Sequence, residues 1–562
     1  MQEIKLNNTE QKIFDLIRGV ISADSSLSLV EPRICGGWVR DKILGRESDD
    51  LDITVNHITG YAFAKKISQY AKKNHIDGVS DPYQVSLDKV ADPKEKKAID
   101  PLQVGGMDIF GLKVEFIGLR KEIYTDDSRT PQIVATDNVL EDVKRRDLTI
   151  NALYYNVLTG EVEDYVGGLK DLEVMHLRTP DEPEKTYAED PLRLLRAIRF
   201  YAKFPGSTLD TGILKSLASM DDDNSSLSIL YRQKVATSRA AKELIKIMES
   251  DNPERAIYIL FRSGFYKRVF EVPDNWFPFD MDQLSPYHNL TLIDHTLSVL
   301  KEAIKIAEDH WIIGDSRAEF LFAAIFHDFG KMSPDIRKEH PKHPGKMQYI
   351  NHEDVSAEFI NNLLIKMSFP EQMRKNIVAI VKGHMRPSSF DGKNGSALRR
   401  QFGKFLRDFP EVESNIMYLR LADLLSKGKQ SQEDIDKIVS NNKRLYKELY
   451  EYVYYSYVSG FGFLFEKPLL DGDVIKSMVP EVSQEIEDRL RAVKYKFMIN
   501  NSFTNHKDLH WIKYLQEQLI EQQQTHRIKT VEDAKVFVRG QIKQVFNNGQ
   551  ENDRLVSEDQ GS

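Results

Sequence analysis

Apolar positions over about residues 8–22 carry the three-to-four-residue spacing of an amphipathic helix. The run Pro32-Arg-Ile-Cys-Gly36-Gly37 reads as a strand ending in two glycines, with a short helical stretch after it. Leu51-Asp-Ile-Thr-Val reads as the next strand, and Asp50 and Asp52, two residues apart, leave the same face of it. Val114-Glu115-Phe116 lies in a β-rich run that can pair with the Asp50 strand. The stretch from Asp81 to Asp108 is predicted as a long charged loop. From about residue 185 strand signals vanish and helical periodicity takes over. Asp221-Asp-Asp-Asn-Ser-Ser is then a polar turn, Asn275-Trp-Phe-Pro-Phe-Asp a boundary, and 285–430 a histidine-rich helical block. An aromatic run from Tyr446 to Phe465 follows, and Asn547–Ser562 is polar and expected to fray. No internal repeat is evident. The pattern predicts an α+β chain: a mixed α/β head followed by helices alone. We divide it at 1–172, 173–280, 281–430 and 431–562.

Composition narrows the class. At 562 residues, with 41% apolar and 29% charged side chains, the chain can build ordinary soluble cores. A single cysteine, Cys35, excludes an internal disulfide framework and suits a reducing compartment. No signal-like segment and no apolar run near 18 residues is present, so a cytoplasmic protein without membrane attachment is expected. With a net charge of −8, any nucleic-acid contact must use a local basic surface.

The chemistry begins at Gly36-Gly37. Glycines let backbone N–H groups approach a triphosphate, and a helix starting there turns its positive end toward the phosphates. Paired carboxylates at Asp50 and Asp52, with Glu115 as a third, suit Mg²⁺ ions bridging a triphosphate and an attacking hydroxyl. Arg145-Arg146-Asp147 suggests phosphate and ribose contacts held by an ion pair. Asp190, Arg193, Arg196 and Arg199 recur every third residue behind Pro191, which fits a first helical turn. Each piece alone is matched by a plainer reading, a solvated charge cluster. Their conjunction favours nucleotidyl transfer.

These motifs resemble the class II tRNA nucleotidyltransferases, the CCA-adding branch of the polymerase-β superfamily. The resemblance rests on Gly36-Gly37-Trp-Val-Arg40-Asp41, Asp50-Leu-Asp52, Arg145-Arg146-Asp147 and Glu189-Asp190-Pro-Leu-Arg193. The loop Tyr124–Pro131, with Ser128-Arg129, and the hinge Asp164-Tyr-Val-Gly167-Gly168 add to it. It implies that Asp50 and Asp52 hold metal with help from Glu115. It also implies that Gly37, Arg40, Arg196 and Arg199 hold the triphosphate, and that Asp190 and Arg193 select the base. An acceptor beside a donor satisfies the Watson–Crick edges of both cytosine and adenine, while uracil and guanine present the opposite order. The implied partners are CTP, ATP and a tRNA 3′ end, with no protein partner. Where the family often has Ser-x-Glu-Arg in the neck, this chain has Ala236-Thr-Ser238-Arg239.

A second constellation comprises His295, His327-Asp328, His352, His384 and Asp423. Imidazole with carboxylate suits a divalent transition metal able to activate water against a phosphodiester. In Ala323-Ala-Ile-Phe-His-Asp-Phe-Gly330-Lys331 an apolar helix delivers His and Asp together, and Gly330 reads as its C-terminal cap. The order resembles the HD phosphohydrolase superfamily in its six-ligand form, except that Asn351 stands where relatives often have Gly. Three alternatives to CCA addition remain open here. These are a poly(A) polymerase or partial CC- or A-adding enzyme, a nucleotide-regulated HD hydrolase, and an idle RNA-binding protein.

Overall fold

The computed structural model describes residues 4–48, 51–84, 103–123, 132–287, 289–428 and 430–458, with short pieces between 470 and 541. Asp50, the loop Tyr124–Pro131 and the frayed end Asn547–Ser562 lie outside the described residues, as does most of 459–514.

The first helix, α1 (Asn8–Ala23), starts where Asn7 accepts from the Thr9 and Glu10 N–H groups while the Glu10 side chain returns to the Asn7 N–H. Glu10 is buried, and Trp38 Nε1 (2.9 Å) and Lys42 Nζ (2.9 Å) satisfy the rest of its carboxylate. That knot pins α2 (Gly37–Ile43) against α1. A further helix, α3 (Gly60–Lys73), packs across the sheet.

The sheet has seven strands. They are β1 (Arg33–Cys35), β2 (Leu51–Val55), β3 (Tyr83–Gln84), β4 (Gly105–Ile109), β5 (Leu112–Gly118), β8 (Tyr154–Asn156) and β9 (Val162–Glu163), ordered β3-β4-β5-β2-β1-β8-β9. The β2–β5 pairing is parallel and sets Asp52 directly beside Glu115. A separate hairpin joins β6 (Arg120–Ile123) to β7 (Gln132–Ala135). The stretch 81–108 thus carries strands at both ends rather than reading as loop throughout. Its glycines misled the pattern: a Cβ at Gly105 would come within 2.7 Å of the Tyr61 Cα, so glycine here permits close sheet–helix contact.

Beyond the head the described residues are mainly helical, with two short strand pairings. One joins His176–Leu177 to Thr208–Leu209, and the other joins Arg337–Glu339 to Met347–Tyr349. The functional helices are α4 (Pro183–Glu189), α5 (Leu192–Lys203) and α6 (Thr237–Met248) around the head. The histidine block is built from α7 (Leu292–Asp309), α8 (Gly314–Phe326), α9 (His352–Lys366), α10 (Glu371–Gly383) and α11 (Glu413–Leu425). One connected apolar core runs from Ile13 to Tyr452. Among the described residues no helix is long and apolar enough to cross a membrane.

Candidate active site and metal centre

Gly36 closes β1 with φ 75° and ψ −128°, a conformation that favours glycine. A Cβ there would stand 3.5 Å from Arg146 Nη1, and one on Gly37 3.5 Å from Arg40 Nη2. The two-glycine turn therefore lies against two guanidiniums. It opens onto a cleft of about 710 Å³ lined by Asp52, by Gly36 and Gly37, and by Arg40, Arg145, Arg146, Asp147, Asp190, Arg193, Arg196 and Arg199. The ten residues expected to bind nucleotide thus meet Asp52, expected to hold metal, on one surface. Eleven basic and five acidic side chains line it, so a chain of net charge −8 does carry the local basic surface that RNA or a triphosphate requires.

The arginines are not a solvated stripe. Arg40 is buried between the Phe200 and Phe204 rings, pairs with Asp41 at 2.8 Å and donates to Asn151. Arg146 donates to the Tyr154 hydroxyl (2.8 Å) and to Asp142 (3.0 Å). Arg145 also pairs with Asp142. Burial alone would raise the Asp142 carboxyl, yet Arg145 and Arg146 hold it far below the usual carboxylate range.

Asp147, expected at a ribose, is buried and bonded to Asn151 (3.0 Å) and Arg196 (2.7 Å). Burial opposes its charge, but the Arg196 guanidinium wins and lowers the carboxyl to about 2. Arg199 pairs with Glu243 at 2.7 Å. At the positions expected to select the base, the buried Arg193 is held by Glu122 (3.2 Å), Glu189 (3.1 Å) and the Thr186 carbonyl (3.2 Å). Asp190 accepts from the Leu192 N–H (3.2 Å) and from Arg239 (2.9 Å). Pro191 precedes the first turn of α5 with φ −62°.

Sequence reading missed several members of this site. Asp142, on the short helix Val139–Lys144, lies three and four residues before its arginines at the helix end, a spacing visible in the chain. Glu122, Glu243, Lys242 and Lys246 are brought in from other elements and carry no local signal.

In the helical half, His295, His327 and Asp423 offer ligand atoms within 4.8 Å of one another, and so do Asp328, His352 and His384. The Asp328 carboxylate joins the two groups, 3.2 Å from His327 Nε2 and 3.0 Å from His352 Nε2. All four imidazoles donate from Nδ1 to backbone carbonyls: Ser426 (3.1 Å), Ala324 (2.9 Å), Tyr349 (2.8 Å) and Val381 (2.6 Å). Each Nε2 is thereby turned inward, the orientation that metal-binding histidines take from their outer partners. His352 and His384 face each other Nε2 to Nε2 at 3.3 Å. Acceptors crowded so closely need a cation among them, and Lys331 Nζ supplies one charge to Asp328 at 2.7 Å. Burial lowers His384 to about 3, with His352 and His327 adding to the effect, so its imidazole is neutral and ready to ligate. The donor set fits divalent ions.

Two local expectations change. Gly330 does not cap a helix in the left-handed region. A Cβ there would fall 2.3 Å from the His352 carbonyl oxygen, so glycine is required by close packing. Ser356 closes that contact, accepting from the Gly330 N–H (2.7 Å) and donating to the His327 carbonyl (2.9 Å). Asn351 takes the left-handed conformation (φ 64°, ψ 25°) that asparagine tolerates, which places His352 at the start of α9.

Comparison with known proteins agrees with both halves. Residues 32–178 match the poly A polymerase head domain and residues 292–428 the HD domain. The tRNA nucleotidyltransferase cca2 of Schizosaccharomyces pombe is 36% identical over 274 residues, which span 48% of this chain and 54% of that protein. The alignment with that relative thus covers about half its length. The mitochondrial CCA tRNA nucleotidyltransferase of Saccharomyces cerevisiae is 27% identical over 511 residues, 84% of this chain and 86% of that protein. A solved CCA-adding enzyme with CTP shares the fold at a TM-score of 0.54 and 16% identity, with 96% of each chain covered. The chain thus carries a poly A polymerase head domain followed by an HD domain, in the order its sequence predicts, and it is similar to tRNA nucleotidyltransferases across both.

Proposed function

We propose that this chain adds or repairs the CCA end of tRNA from CTP and ATP without a nucleic-acid template. The observation that carries the reading is the shared cleft, in which Asp52 lies on one wall and Asp190 and Arg193 on another. Mg²⁺ held by Asp52 with Asp50 and Glu115 would neutralise charge between the triphosphate and the attacking 3′-hydroxyl. Gly36 and Gly37 leave room for the phosphates beside Arg40 and Arg146. Arg196 and Arg199, anchored by Asp147 and Glu243, line the same path. Asp190 accepts from the base's amino group and Arg193 donates to its ring nitrogen. A base with the opposite order leaves two polar groups mispaired at about 1–3 kcal/mol each, enough for tens- to hundred-fold rejection.

We also propose that the histidine block holds divalent transition-metal ions through His295, His327, Asp423, Asp328, His352 and His384 and hydrolyses phosphate esters at damaged tRNA 3′ termini. Such ions would supply Lewis-acid activation. The domain limits 1–172, 173–280, 281–430 and 431–562 and a cytoplasmic location belong to the same reading.

The test offers tRNA lacking its terminus each nucleotide separately. CMP followed by AMP incorporation is expected, with loss of at least about 1,000-fold for Asp52→Ala while phosphodiesterase activity survives. Incorporation of AMP alone would instead identify a poly(A) polymerase or A-adding enzyme.

A further inference from the structure

Glu122 has no role in the mechanism above, yet it lies at the centre of the selecting wall. It stands on β6, and its side chain is nearly buried. One carboxylate oxygen meets Arg193 at 3.2 Å, and the other faces Arg145 at 3.7 Å and Arg120 at 3.8 Å. Three guanidiniums converging on one carboxylate would repel one another without it. The crowding is visible in Arg120, where burial and the neighbouring Arg145 lower the guanidinium to about 10.

The partners of Arg193 have a definite geometry. Its two terminal nitrogens are divided between Glu122 on one and Glu189 with the Thr186 carbonyl on the other. Glu189 and Thr186 belong to α4 and its own neighbourhood, four and seven residues away along the chain. Glu122 comes from a different element 71 residues away. A guanidinium is a planar fork, so acceptors on two separate elements fix both its position and the plane in which its remaining N–H groups point.

We propose that Glu122 is a specificity-positioning residue: by gripping Arg193 from the β6 side it sets the plane in which that guanidinium meets the incoming base. The inference rests on the proposed nucleotidyl transfer. A guanidinium held from one side only would swing within the cleft and accept the wrong donor order more readily.

The test uses the full chain and tRNA lacking its CCA end. The kcat and KM for CTP and for UTP are measured for the wild type, Glu122→Gln, Glu122→Asp and the double variant Glu122→Gln/Arg120→Gln. Glu122→Gln is expected to lower the CTP:UTP ratio of kcat/KM by about tenfold or more, mainly through kcat for CTP. The double variant relieves repulsion among the arginines without restoring the grip on Arg193, and should stay unselective. If the double variant regains wild-type discrimination, Glu122 merely neutralises its neighbours and the proposal is overturned. Unchanged discrimination in Glu122→Gln overturns it as well. Should Glu122→Gln fail to fold, Glu122→Asp carries the test: its shorter reach keeps the charge but loosens Arg193, so wild-type selectivity there refutes the idea. A wild-type protein that incorporates no CMP would instead refute the parent reading.

Discussion

The Asp147–Arg196 pair gives a quantitative test, because its energy can be read from the displacement of one carboxyl group. Asp147 is 7% exposed and its carboxyl lies at about 2 against an ordinary 3.8. Burial pushes the group upward, and Arg196, Asn151 and the Leu148 N–H outweigh it. Because the folded value is depressed, the stabilisation is fully present above about 3.8 and is lost as pH falls through about 2. By linkage this amounts to roughly 2 kcal/mol at pH 7 and about half of that at pH 3. Asp147→Asn keeps the shape and the bond from Asn151 but removes the charge facing Arg196. Its cost in urea denaturation should therefore be about 2–3 kcal/mol at pH 7 and should fall by roughly half at pH 3. An equal cost at both pH values would show that packing rather than charge holds the site together. No cost at pH 7 would show that Glu243, 3.5 Å from Arg196, compensates.

Two other outcomes follow from the geometry. His384→Ala should lower bound metal by about one ion per chain, measured by elemental analysis, while leaving CMP incorporation intact; unchanged metal content would contradict the ligand assignment. Gly60→Ala would place a Cβ 1.9 Å from the Phe116 carbonyl oxygen. It should cost at least about 3 kcal/mol and displace Glu115 on the same strand, so a stable and fully active Gly60→Ala protein would show that β5 yields freely.

Much of the site was legible because its chemistry is local. Gly36-Gly37 and Asp52 are short-range signals, and α1 announces itself through its apolar spacing. His327-Asp328 is readable because an apolar helix must deliver both side chains to one interior point. Misreadings came where a glycine serves tertiary contact rather than local conformation. At Gly105 it admits a helix backbone to a strand, and at Gly330 it lets one turn touch another.

Residue types and spacing alone determined which groups are available: carboxylates on a strand, arginines on a helix, imidazoles beside carboxylates. Only the tertiary structure decided which of them meet. The parallel β2–β5 register set Asp52 beside Glu115, and five helices sorted six candidate ligands into two groups of three, with Asp328 of one reaching His327 of the other. The anchoring acids Glu122 and Glu243 reach their arginines across 71 and 47 residues. An ion pair across such distances leaves no periodicity in the chain, because only packing of the intervening elements brings its two charges together.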